Sequence, residues 1–188
     1  MVRSVDPRVI RTRRLLIDAL TKLIITNGEE AISIRDIVRE AEVNRSTFYL
    51  HFQDKQDILM HLYDDLLSKF ISSLKYPQYV YEVAVQEYKS QEKPIPAHTA
   101  MFDHIERYAE LYQKVLKENE FRERVNEVIK REVLLFTDNV MEATFMANGS
   151  VGLILYWLEN GRKESVLEMS RWLTHITLFP LGKFNKSM

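Results

Sequence analysis

"SIRDIVREAEVNRSTFYLHFQDKQDIL", residues 33–59, decides how the chain is read. Ser33 with Asp36 three residues on is a capping-box opening, in which each side chain serves the other residue's backbone amide. Ile34, Ile37, Val38 and Ala41 follow at helical spacing and predict one buried face. Glu42-Val43-Asn44 interrupts that face, and Asn44 is placed to cap a second short helix holding Phe48 and Phe52. Asp54 with Asp57 opens a third, longer helix. Nucleating a helix is costly, yet the second one commits only two phenylalanines to a core. Its remaining faces carry Arg45, Ser46, Thr47, Tyr49 and His51, which predicts a working surface.

Outward from this stretch the punctuation is helical almost throughout. Asp6-Pro7 sets an acceptor before a proline at the first helical position, where no amide donor is missed. Ile10, Ile17, Leu20 and Ile24 then recur at helical spacing, widened by Leu16 and Leu23, and Asn27-Gly28 stops the helix. After Asp57 a stripe of Ile58, Leu59, Leu62, Tyr63, Leu66, Leu67, Phe70, Ile71 and Leu74 predicts a long helix. "KYPQYVYEVAVQEYKSQEKPIP", residues 75–96, has three prolines and weak periodicity, and reads as a connection holding part of a helix. From His98 three or four further helices are expected: one with Phe102, Ile105, Tyr108, Ala109 and Tyr112, one from about Glu120 to Asn139, and an unusually apolar one ending at Asn160-Gly161. "SVLEMSRWLTHITLFPLG" follows as the last. No strand alternation, repeat or low-complexity segment interrupts the pattern, so the class is all-α.

Composition narrows the function. The chain has 188 residues, 46% hydrophobic and 28% charged, with formal net charge −1 and no cysteine. That is an ordinary globular balance. It leaves no disulfide framework, thiolate metal site or thiol nucleophile, and it fits a reducing, cytoplasmic setting. No apolar run approaches the roughly 18 residues of a membrane span, and the N-terminal stretch lacks the pattern of a signal peptide. Charge is uneven, however. Arg3, Arg8, Arg11, Arg13 and Arg14 face a single acid, Asp6, before Leu15. Such a basic arm either seeks phosphate or is a solvated terminus. No catalytic constellation is present: the five glycines are scattered, His98 and His104 do not share a helical face, and the Glu-rich run near Glu118–Glu132 reads as solvated helix. No enzyme, cofactor or metal site is expected.

Two short helices joined by a three-residue turn, braced by a longer helix on each side, form a helix-turn-helix, whose second helix enters the major groove of DNA. The stretch resembles the signature of the TetR family of bacterial transcription regulators. Ser33 opens the second helix, Ile37 sits at its centre, and Ala41-Glu42-Val43 forms the turn. Phe48-Tyr49, His51, Phe52, Asp54-Lys55 and Ile58-Leu59 follow at the family's spacing. Glu42 stands where the family commonly has glycine. The match covers roughly Val9–Lys69. It implies a DNA-binding domain over 9–69, with its helix-turn-helix core about 33–52, and a regulatory and dimerisation domain over 70–188.

The resemblance also implies roles. Tyr49 and Lys55 go to the DNA backbone, with Ser33 and Arg35 likewise placed for phosphate, Ser33 also serving as a cap. Asn44, Arg45, Ser46 and Thr47 open the recognition helix and are the base-reading candidates; Arg45 either reads a guanine edge or binds phosphate only. His51 meets phosphate. "GSVGLILYWLENGRKES" and the helix after it are similar to the last two helices of one TetR subgroup, which form a four-helix dimer interface. Gly149 and Gly152 there permit close backbone approach, with Leu153, Tyr156, Trp157 and Trp172 as apolar anchors; the alternative is an intramolecular core. The family's small-molecule pocket is assigned to Phe102, Tyr108, Tyr112, Phe136, Met141 and Trp157, facing an apolar or aromatic effector, although such a stripe also reads as plain core. The function implied is a homodimeric repressor on a palindromic operator, its two recognition helices about 34–36 Å apart and its grip released by the effector. A TetR-like co-regulator acting by protein contact without operator binding is the alternative.

Overall fold

The computed structural model describes residues 6–74 and 80–179. Among these residues are ten α-helices and no strand, so the class is all-α. The chain divides into two compact units, Met1–Ser68 and Lys69–Met188. Of the basic arm, Arg3 lies outside the described residues, whereas Arg8, Arg11, Arg13 and Arg14 are already helical.

The first unit is built around α1 (Pro7–Asn27), α2 (Ile34–Glu40) and α3 (Arg45–His51), with the first part of α4 (Lys55–Leu74). Asp6 accepts the Arg8 amide, and α1 closes at Gly28, whose amide returns to the Ile24 carbonyl at a positive φ of 78°. The buried stripe of α1 is Leu16, Ala19, Leu20, Leu23 and Ile24. Ile10, expected in that stripe, is exposed, because the first turns of α1 run beyond the packing of the stripe. Ser33 and Asp36 make the complete capping box of α2. At the start of α4, Asp54 accepts the Asp57 amide at 2.8 Å, and Asp57 accepts that of Gln53 at 2.8 Å. Asn44 occupies the cap position of α3 but makes no capping bond with its side chain.

The α2–α3 turn stores strain. Glu42 adopts φ 54°, the left-handed region that an L-residue enters at a cost of about 1–2 kcal/mol. The turn still forms, because the Val43 amide reaches the Val38 carbonyl at 3.0 Å and both short helices are anchored by buried side chains. Replacing Glu42 with glycine should therefore raise stability by about 1 kcal/mol, read as a higher denaturant midpoint with unchanged slope.

The second unit contains the end of α4 and six further helices: α5 (Tyr81–Gln91), α6 (Pro96–Arg107), α7 (Ala109–Val115), α8 (Asn119–Val133), α9 (Val140–Glu159) and α10 (Val166–Leu178). The segment read as a connection thus holds a full helix, α5. Three tyrosine and arginine bonds fasten its stretch to α10: Tyr81 to the Leu178 carbonyl, Tyr88 to that of Arg171, and Arg171 to that of Glu92. Helix α8 packs along α9, α10 against α6, and α7 against α9. The helix expected through Phe102 to Tyr112 is broken at Tyr108, where φ −116° and ψ 27° end α6 and start α7. No proline or glycine marks the break, so periodicity alone could not locate it. Helix α8 also stops short of Asn139, at Val133.

Two polar links cross this core, the first buried and the second half-buried. His104 Nε2 lies 3.0 Å from the Tyr112 hydroxyl, among the rings of Phe70 and Tyr108. His98 Nδ1 lies 2.9 Å from the Thr174 hydroxyl, which also accepts the Ile95 amide at 3.0 Å. Burial lowers both imidazoles from 6.5 to about 4, and for His104 the Arg107 and Lys69 charges push the same way. The folded chain therefore holds both neutral. Their contribution is intact above pH 6.5 and is lost as the pH falls from 6.5 toward about 4, where the unfolded chain takes up protons that the folded one refuses. Asp36 and Glu168, whose carboxyls are held low by bonds from Ser33 and Ser165, add to the loss only at the acid end of this window. The denaturant midpoint should fall across this window, and His104→Gln should fall less steeply, when both are followed by helical circular dichroism.

Candidate nucleic-acid interface

The geometry of α3 follows from two anchors. Phe48 is fully buried and Phe52, just past the helix end, nearly so, their ring centroids 5.8 Å apart. Arg13 of α1 lays its guanidinium over the Phe52 ring at 4.7 Å, and His61 of α4 packs against the same ring at 5.6 Å. With that face fixed inward, Asn44, Arg45, Ser46, Tyr49 and Leu50 are turned to solvent, while Thr47 and His51 lie half-buried at the edges.

Arg45 turns along α3 toward Tyr49. Its guanidinium donates to the Tyr49 hydroxyl at 3.1 Å and stands 5.7 Å from the centre of that ring. Tyr49 in turn meets Phe48 edge-on at 5.5 Å, so the buried anchor props Tyr49 and Tyr49 steadies Arg45. Ser33 is exposed and engaged in the capping box, and Arg35 beside it is exposed. Lys55 is different: its ammonium donates to the Glu29 carbonyl at 2.7 Å, tying the start of α4 to the α1–α2 loop. Tyr63 donates to the Glu29 carboxylate as well, so two α4 side chains hold that loop. The sequence does not single out Leu50, and it names Arg13 only as part of the basic arm. The signal for Leu50 was its place two residues after Phe48, nearly the opposite side of the helix.

The other candidate residues divide by burial. Phe102, Tyr112 and Trp157 are completely buried, and Tyr108 is half-buried. Phe102 and Trp157 meet edge-on at 5.5 Å, and Tyr112 packs on Phe121 at 6.0 Å. Trp157 Nε1 donates to the Glu164 carbonyl at 2.8 Å. The structure does not bring Phe136 and Met141 into this group. They are 52% and 83% exposed, because α8 ends early and the chain turns before α9. Gly149, Gly152, Tyr156 and Trp172 are also exposed, and Leu153 is half-buried. A side-chain carbon added at either glycine would meet nothing within 4 Å. Trp157 faces inward, so of the proposed anchors it belongs to the core of its own chain. Among the described residues no group of three or more histidines and carboxylates is arranged for a metal, and no helix is long and apolar enough to cross a membrane.

Comparison with known proteins gives two family-model matches. The model described as bacterial regulatory proteins, tetR family, matches residues 16–62, and one described as transcriptional regulator C-terminal region matches residues 92–178. A fatty acid metabolism regulator protein of Bacillus subtilis (strain 168) is 28% identical over 120 residues, 61% of this chain and 59% of that protein. The chain thus spans little more than half the length of that relative. Among solved structures, the fatty acid degradation regulator FadR of Bacillus halodurans has a TM-score of 0.68 at 17% identity, covering 96% of this chain and 99% of its own. FadR of Bacillus subtilis in complex with stearoyl-CoA has a TM-score of 0.64 at 20% identity, covering 88% and 97%. At these identities the two structures establish likeness of fold.

Proposed function

Because the chain belongs to the TetR family of transcriptional regulators, we propose that it is a homodimeric repressor that grips a palindromic operator and is released by a small apolar effector. The observation that carries this reading is the outward face of α3. There Arg45, Ser46 and Tyr49 stand clear of the protein while Phe48 and Phe52 fix the helix from behind. Lys55, Ser33, Arg35 and His51 supply phosphate contacts, which dominate affinity, and Asn44 to Thr47 reach base edges, which set sequence choice. A regulator working only by protein contact has no need of these groups gathered at α3 and at the starts of α2 and α4.

Dimerisation is assigned to the exposed face of α9. Met141, Phe145, Gly149, Gly152 and Tyr156 recur at i+3 and i+4 along it, and the two glycines leave room for a second backbone. Trp172 of α10, 55% exposed, is a further anchor of the kind interfaces favour. The effector is assigned to the aromatic interior at Phe102, Tyr108, Tyr112 and Trp157. Phe136 and Met141 drop out of that assignment. A fatty acyl chain, the apolar part of the stearoyl-CoA in the FadR complex of Bacillus subtilis, is the first effector chemistry to test.

The deciding experiment is a gel-shift titration on duplexes selected from a random library and on the DNA flanking the chain's own gene. Salt-sensitive, sequence-specific retardation supports the reading; its absence refutes it. Arg45→Ala should change sequence preference. Arg35→Ala should weaken all sites alike and lower the salt slope by about 1. Arg35 is a cleaner probe of phosphate contact than Lys55, whose loss also frees the Glu29 carbonyl. Gly152→Glu should leave circular dichroism unchanged, because the added carbon meets open space within the chain. It should nevertheless give monomers by light scattering and abolish the shift.

A further inference from the structure

Leu50 is 81% exposed in the middle of a protein surface otherwise made of groups that suit phosphate and base edges. A lone exposed leucine is ordinary on a globular protein and means nothing by itself. Its place is what gives it weight. One turn before it on the same face is Ser46, and three residues after it is Gln53, both exposed. Phe48 points the other way into the core, so Leu50 and Ser46 form the crest of α3. Arg45 and Tyr49 are linked to each other to one side of this crest. An apolar crest one side chain wide, bordered by polar groups, is a poor fit to another protein, which would need a broader patch to gain from burial. It is a good fit to one small apolar group in a polar setting. The major groove offers such a group, the C5 methyl of thymine, which apolar side chains recognise by contact.

We propose that Leu50 is a specificity-determining residue that reads a thymine methyl group in each operator half-site. The assignment rests on α3 being the recognition helix. Leu50 then supplies apolar discrimination at one base pair, while Arg45, steadied by Tyr49, supplies charged contact alongside it. Ser46 is too short to substitute for it from its position one turn nearer the helix start.

The test uses the full chain and its library-selected duplex. Each thymine of a half-site is replaced in turn by uracil, which keeps every hydrogen-bonding group and removes only the methyl. The wild-type chain should bind roughly fourfold more weakly at one such position, the weight of about one buried methyl group. Leu50→Ala should bind thymine and uracil equally at that position, and should keep the wild-type response at other bases. Because Leu50 is exposed, this variant should keep the wild-type thermal midpoint. Specific binding by the wild type with indifference to uracil everywhere overturns the proposal and leaves operator binding standing. Uracil sensitivity that persists in Leu50→Ala also overturns it. Failure of the wild type to bind any duplex specifically overturns both readings.

Discussion

The burial of Phe48 is the contact on which the recognition surface depends. A seven-residue helix makes too few backbone bonds to stand alone. Its orientation has to come from side chains, and Phe48 and Phe52 are the two it commits inward. Phe52 is held in turn by Arg13 from one side and His61 from another, so three helices converge on one ring. A rigid anchor behind the helix also fixes what lies in front. Tyr49 packs edge-on against Phe48, and Arg45 is bound to Tyr49, so two contacts link the core to an exposed guanidinium.

The turn before α3 shows a different balance. Among the described residues the left-handed positions are Gly28 and Gly161 together with Glu42, Glu92 and Arg162, and the α2–α3 turn carries Glu42 at φ 54°. Strain of this kind persists where surrounding structure over-determines the backbone. Here the buried residues on both sides, Ile37 and Val38 before it and Phe48 after it, hold the chain ends that the turn must join.

The first unit was legible because its signals are local. Ser33 with Asp36, Asp54 with Asp57, and Gly28 each announce a helix end within four residues, and the structure has those ends. Where the sequence reading fell short, the cause was tertiary. Ile10 has the right spacing but lies beyond the reach of its neighbours. Tyr108 breaks a helix with no breaker residue, and α5 forms from weakly periodic sequence because α10 supplies carbonyl partners for Tyr81 and Tyr88. Leu50 carries no polar group to mark it as a DNA contact in the sequence. Its meaning is visible only once Phe48 fixes which way α3 faces.

Helix α9 explains why pocket, core and interface were hard to separate in the second half. Trp157 is fully buried while Tyr156, its neighbour, is 55% exposed, so the helix carries apolar residues on two faces at once. A helix apolar on opposite faces loses the one-sided stripe by which periodicity identifies the buried side. Composition reports only that the segment is apolar, and Met141, Phe145 and Tyr156 then look like Ala147, Ile154 and Trp157. The two glycines carry the distinguishing information. A glycine inside a helix is destabilising by roughly 0.5–1 kcal/mol relative to alanine, and among the described residues nothing crowds either position. Their small size therefore answers no packing need visible within the second unit, which is why burial alone does not explain these two positions.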